Sequence, residues 1–272
     1  MTDLAVLMAV YKNDNLKYFR LATESILNQT FRDFHFYILR NGQVSSEIEE
    51  YLNSFQDDRI VLYRFDENRG LARALNYMLE IVLKNPEYEF IARMDADDIS
   101  YLTRFEKQRS FLLEHDNISC VGSWYEEIDK NDRHLSFKKL PIDHESLKQR
   151  YMTRTPFAHS SVMYSRKLIE KAGYYPENTI LMEDNVLWGS ALKSGLLFAN
   201  VPEYLLMFRI NNSFYKRRAG VKYGYNYINN RIRINRSLKF PYYVNLLTVL
   251  IGSIKMMPGC CQKFIYRISV NF

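Results

Sequence analysis

Three carboxylates follow a short apolar run near the middle of the chain. Asp95, Asp97 and Asp98 lie in the stretch IARMDADDIS, residues 91–100. One aspartate would suffice for a polar turn or a helix cap, and that structural interpretation stays open. Three acids in four positions repel one another unless a cation or several hydroxyl groups offset their charge. Because Mg²⁺ and Mn²⁺ take carboxylate oxygens and also hold phosphate oxygens, the stretch favours a cation site that binds a diphosphate.

The elements before these acids predict where they lie in the fold. Near-continuous apolar runs at residues 4–11, 34–40, 59–65 and 89–94 alternate with helical patterns. This alternation predicts an α/β fold with a mostly parallel, doubly wound sheet. Ligands of such sheets bind beyond the carboxyl ends of the strands. The acids follow the fourth run, so we expect them at the ligand-binding edge.

Shorter elements follow a helix predicted at residues 101–116. We expect strands within residues 118–128, 135–141, 157–164 and 196–210 to extend the sheet, partly in the antiparallel sense. The stretch MEDNVLWGSALKSG predicts a helix that ends at Gly195. A chain of 272 residues is long enough for one such core with appendages.

Charge is distributed unevenly along the chain. Residues 204–272 carry twelve Lys or Arg and no Asp or Glu, whereas residues 1–203 carry 25 basic and 31 acidic side chains. This basic segment predicts an anionic partner. The three cysteines do not suggest a disulfide framework, and the start of the chain has no basic region before its apolar run. We therefore expect a reducing compartment and no signal peptide.

Several blocks together resemble family 2 glycosyltransferases, which have the GT-A fold. The match runs in unbroken order over about residues 4–210, and it is far more specific than an isolated pair of aspartates. It implies inverting transfer of a sugar from a nucleotide sugar. The blocks are MAVYKND with ESILNQTFRDFHFYIL, DENRGLARALN, ARMDADDIS with RFEKQ, FAHSSVMYSRKLIEKAGYY and MEDNVLWGSALKSG.

The resemblance implies roles for individual residues. Asp97 would bind Mn²⁺ or Mg²⁺ with Asp98 beside it, and Asp95 would contact the ribose or the donor sugar. Asp184 would be the catalytic base, with Glu183 next to it, although two acids that open a helix are also what capping favours. The other residues expected to contact the donor or its diphosphate are Ala9, Val10, Tyr11, Asn41, Asp66, Asn68, Arg73, Arg93, Ala96, His159, Arg209, Lys216, Arg217 and Arg218.

Two of these residues have structural alternatives, and the chain departs from the family pattern twice. Tyr11 is also interpretable as a plain aromatic at a strand end, and His159 as a structural histidine. Arg40 stands where many relatives carry an acid that reads uracil, and an arginine cannot accept the uracil N3 proton. Asn41, Asp66 or the backbone would then read the base, or the base is not uracil. Asn211 stands where some relatives carry a histidine, so we expect no third metal ligand there.

The segment after residue 210 has its own interpretation. FYKRRAG, residues 214–220, combines aromatic and basic side chains and is either a solvated loop or a clamp for a diphosphate. Residues 240–254 carry no charge, but these fifteen residues fall short of the roughly 20 that span a bilayer. Attachment to an anionic membrane surface and packing on the core both remain open. We therefore divide the chain into a catalytic domain, residues 1–210, and a basic, apolar C-terminal region, residues 211–272.

The resemblance, together with the acidic cluster and the basic segment, implies a metal-dependent inverting hexosyltransferase. The expected donor is a UDP-sugar, UDP-Gal or UDP-Glc, and the expected acceptor is a polyprenyl-diphosphate-linked glycan of O-antigen or capsule assembly. We expect a peripheral protein on the cytoplasmic face of the inner membrane, and no nucleic-acid partner.

Two other classes of protein would explain parts of the sequence. A nucleic-acid or anionic-polymer binding protein would use the basic, Tyr-rich tail, but it leaves the aspartates unexplained. A metal-dependent nucleotidyltransferase would carry a glycine-containing phosphate loop after the first strand, and YKNDN has no glycine.

Overall fold

A single mixed sheet carries the fold in the computed structural model, which describes residues 2–210 and 217–258. The strand order is β3-β2-β1-β4-β8-β6-β9-β5, and β7 pairs with β6. The strands are β1 (Leu4–Val10), β2 (Phe34–Asn41), β3 (Ile60–Phe65), β4 (Phe90–Arg93), β5 (Ile99–Ser100), β6 (Ile118–Ile128), β7 (His134–Lys138), β8 (Met163–Ser165) and β9 (Leu197–Arg209).

Helices flank the sheet and continue beyond it. A short 3-10 turn spans His159–Ser161. The α-helices of the described residues are α1 (Leu16–Leu27), α2 (Ser46–Asn53), α3 (Leu71–Val82), α4 (Arg104–Glu114), α5 (His144–Tyr151), α6 (Arg166–Ala172), α7 (Glu183–Lys193), α8 (Val221–Ser237) and α9 (Tyr243–Met256). None of the helices within the described ranges combines the length and apolar character needed to cross a membrane.

The parallel half of the sheet is the part predicted from the sequence, and it is confirmed. β2 pairs in parallel with β1 and β3, and β1 pairs in parallel with β4. Every residue of β1 except Ala9 is buried, which explains its continuous apolar run. Since all four strands run the same way, their carboxyl ends meet at one edge.

Alternate residues of β1 enter two different cores. Ala5 and Leu7 pack with α3 and with Trp188 of α7 on one face of the sheet. Leu4 and Val6 pack on the other face, with α1 and with Phe105 of α4. Because side chains alternate along a strand, a single short strand holds both helical layers in register with the strand ends.

The second half of the sheet contains the antiparallel pairs. β8 lies between β4 and β6 and runs antiparallel to both. β6 pairs in parallel with β9 over most of its length, and the short β5 adds to β9 in the antiparallel sense. This half therefore brings β9 and the loop after β4 together, although they are about a hundred residues apart in the sequence.

A buried polar network ties α4 to the end of β4. Arg104 is 0% exposed, and its Nη2 donates to the carbonyl oxygens of Arg93, at 2.8 Å, and Val162, at 3.2 Å. Its Nε donates to Gln108, whose amide donates in turn to the Ser161 carbonyl at 2.7 Å. These bonds fix the acidic loop after β4 relative to the turn that precedes β8.

The C-terminal helices form an antiparallel pair, and the first of them packs on the catalytic half. On α8, Ile234 packs against Gly189 of α7, and the Arg231 guanidinium donates to the Met152 carbonyl at 2.8 Å. α9 packs closely on α8. Gly252 of α9 lies so near Ile228 of α8 that a Cβ added to the glycine would be only 2.2 Å from Cγ1 of Ile228. α8 thus separates α9 from the core.

Replacing Arg104 with methionine is expected to destabilise the protein. The Arg104→Met side chain removes a donor from two buried carbonyl groups, and a buried polar group left short of a partner costs about 1–3 kcal/mol. The free energy of unfolding, measured by urea titration, should fall by that amount. Arg133→Met, at an exposed position, serves as the control and should change it by less than about 0.5 kcal/mol. An unchanged midpoint for Arg104→Met would contradict the role of the network.

Candidate active site

The three acids after β4 converge into one cluster. Asp95, Asp97 and Asp98 each offer an oxygen, and these oxygens lie within 4.8 Å of one another. The cluster stands at the carboxyl edge of the parallel strands, because β4 ends at Arg93. The edge position expected from the order of the strands is therefore what the structure has.

The three carboxylates have different surroundings. Asp98 is 1% exposed, and its two oxygens accept from the Ser160 hydroxyl and from the Arg209 backbone N–H. Asp95 lies 2.5 Å from the Arg93 guanidinium. The Asp97 carboxylate receives no hydrogen bond from any residue within 2–210 or 217–258. Among the described residues, Asp97 is therefore the acid of this cluster whose side chain is left to take a ligand.

The protonation of this cluster reflects its crowding. Burial and, after it, the charge of Asp95 raise the pKa of Asp97 to about 6. Burial also raises the pKa of Asp98, together with the charges of its two neighbours. A divalent cation would relieve this repulsion, and a set of oxygen donors fits Mg²⁺ or Mn²⁺. The predicted pair, Asp97 with Asp98, lies in this cluster together with Asp95. Because both Asp98 oxygens already accept hydrogen bonds, we propose Asp95 as the second ligand beside Asp97.

A fourth carboxylate belongs to the same region and was not identified from the sequence. Asp14 follows β1, and its Oδ2 accepts from the Tyr11 N–H at 2.8 Å. Burial, together with the charges of Asp97 and Asp95, raises the pKa of Asp14 to about 8. In the sequence it appeared only as part of the polar turn KNDN. The sole available signal was an acid directly after the first strand.

Arg93 links this cluster to a second pair of acids. The Arg93 side chain is 1% exposed, and its charge lowers the pKa of Asp97, of Glu183 and of Asp184. Its influence on all three shows that the fold brings the start of α7 next to the end of β4. The residues concerned are about 90 positions apart in the chain.

Glu183 and Asp184 open α7 in a protected position. Glu183 is 9% exposed, and burial together with the Asp184 charge raises its pKa. Burial also raises the pKa of Asp184, while the Asn185 N–H and the Arg218 charge oppose this. The buried Tyr151 hydroxyl donates to the Asn185 carbonyl and so holds the start of the helix. A carboxylate with a raised pKa is a better proton acceptor than a solvated one.

His159 and Arg209 are both engaged with other protein groups. His159 Nε2 lies 3.0 Å from the Tyr175 hydroxyl, and burial with the Arg93 charge lowers the pKa of His159 well below its usual value. Arg209 is 2% exposed, and its Nε donates to the Asp97 carbonyl oxygen at 2.7 Å. Its Nη1 donates to Asp132 Oδ1 at 2.6 Å. Arg209 therefore supports the backbone of the acidic loop from the β9 side.

The loop after β3 lies beside the ends of β1 and β2. Asn41 is 4% exposed, and its amide donates to the Gly70 carbonyl and accepts from the Arg69 N–H. Asn68 accepts from the Gly70 N–H at 2.9 Å. Asp66 is exposed. Asn41 thus fixes this loop, which leaves Asp66 and the backbone as the open polar groups.

The other predicted residues around this edge lie as follows. Arg40 has its Nε 3.4 Å from Glu49 Oε2, so its guanidinium faces a carboxylate of α2. Arg73, on α3, donates to Glu80 at 3.0 Å. At the end of β1, Val10 is buried while Ala9 and Tyr11 are partly exposed, and Ala96 is 5% exposed.

The basic segment is only partly described. Lys216 and Asn211 lie outside the described residues. Arg217 is exposed, and its charge lowers the pKa of Asp97, whereas the charge of Arg218 lowers that of Asp184. The two neighbouring arginines therefore act on the two separate groups of acids.

Known proteins resemble this chain along most of its length. Residues 5–173 match the model of the family described as glycosyl transferase family 2. The chain is 29% identical to the UDP-Gal:alpha-D-GlcNAc-diphosphoundecaprenol beta-1,3-galactosyltransferase of Escherichia coli, over 97% of this chain and 94% of that protein. It is 32% identical to the O-antigen biosynthesis glycosyltransferase WbnJ of Escherichia coli, over 79% of this chain and 83% of that protein.

A solved structure has the same fold. It is the mannosyltransferase PcManGT from Pyrobaculum calidifontis, in complex with GDP-Man and Mn²⁺. The TM-score is 0.64 at 13% identity, and the likeness covers 99% of this chain and 81% of that one. The fold is therefore GT-A. With the family match over more than half of its residues, the chain belongs to glycosyl transferase family 2.

Proposed function

We propose that this protein is a metal-dependent inverting hexosyltransferase. It transfers a hexose from a UDP-sugar, UDP-Gal or UDP-Glc, to a polyprenyl-diphosphate-linked glycan during O-antigen or capsule assembly. The observation that carries the proposal is the Asp97 carboxylate, which has no hydrogen-bond donor among the described residues and shares the influence of the Arg93 charge with the acids that open α7. The similarity to a galactosyltransferase with a diphosphoundecaprenol acceptor supports the choice of substrates.

The donor half of the site follows from the strand ends. Ala9, Val10 and Tyr11 contact the nucleoside, and Asp97 with Asp95 holds Mn²⁺ or Mg²⁺. When bound, the cation neutralises charge that develops on the leaving diphosphate. Arg217, which already acts electrostatically on Asp97, adds positive charge on the phosphate side.

The acceptor half of the site is the start of α7. Direct displacement at the anomeric carbon needs a base that takes the proton of the acceptor hydroxyl. Asp184 performs this step, because it combines a raised pKa with partial exposure to the site. Glu183 is more deeply buried, and burial together with the Asp184 charge raises its own pKa. Arg93 holds Asp95 and limits the repulsion among these acids.

The loop after β3 recognises the nucleobase of the donor. The Asn41 amide is already bonded within that loop, and Arg40 has only donors to offer. Asp66 is exposed and is the acceptor for the uracil N3–H, with Asn68 and Arg73 supporting the same loop and helix. Arg209 and His159 act on the site through the backbone of the acidic loop and through Tyr175.

Location follows from the proposed acceptor. A polyprenyl diphosphate is anchored in a membrane, so the enzyme works as a peripheral protein on the cytoplasmic face of the inner membrane. Residues 1–210 form the catalytic domain, and residues 211–272 contribute to acceptor and membrane binding. Lys216, Arg217 and Arg218 supply cations for a diphosphate, either that of the donor or that of the acceptor. A nucleic-acid partner is not favoured, because it gives the two groups of acids no role.

A donor panel tests the proposal. Purified protein is incubated with UDP-Gal, UDP-Glc, UDP-GlcNAc, UDP-GalNAc and a GDP-sugar, a GlcNAc or GalNAc diphospholipid, and Mn²⁺ or EDTA. UDP-Gal or UDP-Glc should be consumed with Mn²⁺ only. Product analysis should show inversion at the anomeric carbon. Absence of transfer from every donor in the presence of metal would reject the proposed activity.

Asp97→Asn is expected to abolish metal-dependent transfer. The cation contributes several kcal/mol of charge stabilisation, so the rate should fall on the order of a hundredfold or more. Mn²⁺ binding, measured by calorimetry, should weaken in parallel. Asp116→Asn, at an exposed position outside the site, is the matched control and should keep the full rate. Full activity of Asp97→Asn would remove Asp97 from the metal site.

Asp184→Asn is expected to lose catalysis while keeping the donor. Loss of a general base lowers kcat by about 10²–10⁴-fold. Binding of UDP with Mn²⁺ should stay within about twofold, because Asp184 lies at the acceptor side. Glu183→Gln should retain more activity than Asp184→Asn. The reverse order would assign the base to Glu183.

A further inference from the structure

One face of α9 exposes an unusual number of large apolar side chains. Leu246 is 62% exposed and Leu250 is 59% exposed, whereas Val244 and Thr248 on the opposite face are buried against α8. Isolated exposed leucines are normal on protein surfaces, but a contiguous stripe marks an interaction site. We call this stripe the α9 face. Its members are Tyr242, Tyr243, Leu246, Leu247, Val249, Leu250 and Met257.

The α9 face is not explained by packing inside the described structure. The residues of α9 that are buried against α8 recur every four positions; they are Val244, Thr248 and Gly252. The remaining positions of the helix would be polar if they faced water in a soluble protein. Except for Ser253, the exposed positions are instead leucine, valine and tyrosine, so we infer an apolar environment for this side of the helix in the working protein.

The charges around the hairpin indicate what this environment is. No Asp or Glu follows Glu203 in the chain. The exposed cations of α8 and the turn before α9 are Lys222, Arg233, Arg236 and Lys239. A partner of this surface must accept an apolar stripe and offer negative charge beside it. An anionic lipid bilayer has both properties.

We propose that the α9 face docks on the surface of an anionic lipid bilayer. The inference deepens the proposed function, on which its physiological meaning rests, since it names the surface that meets the membrane. A helix of 14 residues is about 21 Å long, shorter than the hydrocarbon core of about 30 Å, so α9 lies in the plane of the interface. Tyr242 and Tyr243, with an apolar ring and a polar hydroxyl, suit that depth.

Docking at α9 fixes the position of the catalytic acids. The other side of α8 packs on α7 through Ile234 and Gly189, and α7 begins at Glu183 and Asp184. A rigid path of two packed helix pairs therefore runs from the bilayer surface to the proposed base. Since the proposed acceptor is held in the same bilayer by its lipid, docking brings its sugar to a fixed height relative to Asp184.

A second copy of the chain suits the α9 face less well. A symmetric dimer through this face would bring two basic segments together, and such like-charge contact costs free energy. Residues 259–272, outside the described structure, include two further cations, Lys263 and Arg267. A cover made by them would add to the same positive charge rather than offset it.

Vesicle flotation tests the docking surface directly. The intact protein, without nucleotide or acceptor, is mixed with vesicles of phosphatidylethanolamine and phosphatidylglycerol, or of phosphatidylcholine alone. It should float with the anionic vesicles, and the bound fraction should fall as salt rises. The double variant L246E/L250E should bind at least tenfold more weakly.

A matched control keeps the interpretation clear. Leu113 and Leu135 are each 51% exposed and lie on α4 and β7. The variant L113E/L135E makes the same change in charge and apolar surface away from α9, so it should bind vesicles as the unmodified protein does. Circular dichroism should show that both variants remain folded, since all four positions are exposed.

Activity measurements separate this inference from the proposed function. With a GlcNAc diphosphate that carries a short alkyl chain, L246E/L250E should transfer sugar at the unmodified rate, whereas with a long-chain acceptor in vesicles its rate should fall at least tenfold. If the unmodified protein binds vesicles but neither it nor any variant transfers sugar, the proposed function is rejected and the docking proposal stands. The docking proposal is overturned if the intact protein does not float with anionic vesicles or if L246E/L250E floats equally well. It is also overturned if the intact protein is a dimer and L246E/L250E is a monomer, because the α9 face would then be a dimer interface.

Discussion

Buried arginine side chains hold the backbone around a crowded group of carboxylates, and the arrangement of the site depends on them. Placing a guanidinium out of water is costly unless acceptors surround it. Arg93 pairs with Asp95, Arg104 donates to the Arg93 carbonyl, and Arg209 donates to the Asp97 carbonyl. The acidic loop is therefore held from the sheet, from α4 and from β9. Its carboxylates stay close together although they repel.

This support gives each of the three acids a different task. Asp98 is consumed by hydrogen bonds from Ser160 and from the Arg209 backbone, so it stabilises the loop. Asp95 is paired, and only the Asp97 side chain is left without a partner among the described residues. The repulsion among the three carboxylates is thus mostly offset by hydrogen bonds to Asp98 and by the ion pair of Asp95. Burial and the uncompensated part of this repulsion raise the pKa of Asp97, and both effects favour a cation at this position.

The C-terminal helices support the acids that open α7 in a comparable way. α8 packs on α7, next to the acids that open it, and the preceding segment places Arg218 where its charge acts on Asp184. Because α8 uses one side for the core and another for α9, the apolar face of α9 is directed outward without loss of packing. In the docking that we propose, this hairpin connects the sheet and its flanking helices to the bilayer surface.

The sequence by itself determined the parallel half of the fold and the place of the acidic cluster. Continuous apolar runs and helical periods are local patterns, and strand direction then sets which residues share an edge. It also placed Asp184 at the start of a helix. Only the tertiary structure decided that Asp98 and Arg209 serve the loop, that Arg104 and Gln108 support it, and that Asp14 joins the acids. Those roles depend on partners up to about a hundred residues away, and no local period encodes which distant groups the packing of β9, α4 and β1 brings into contact.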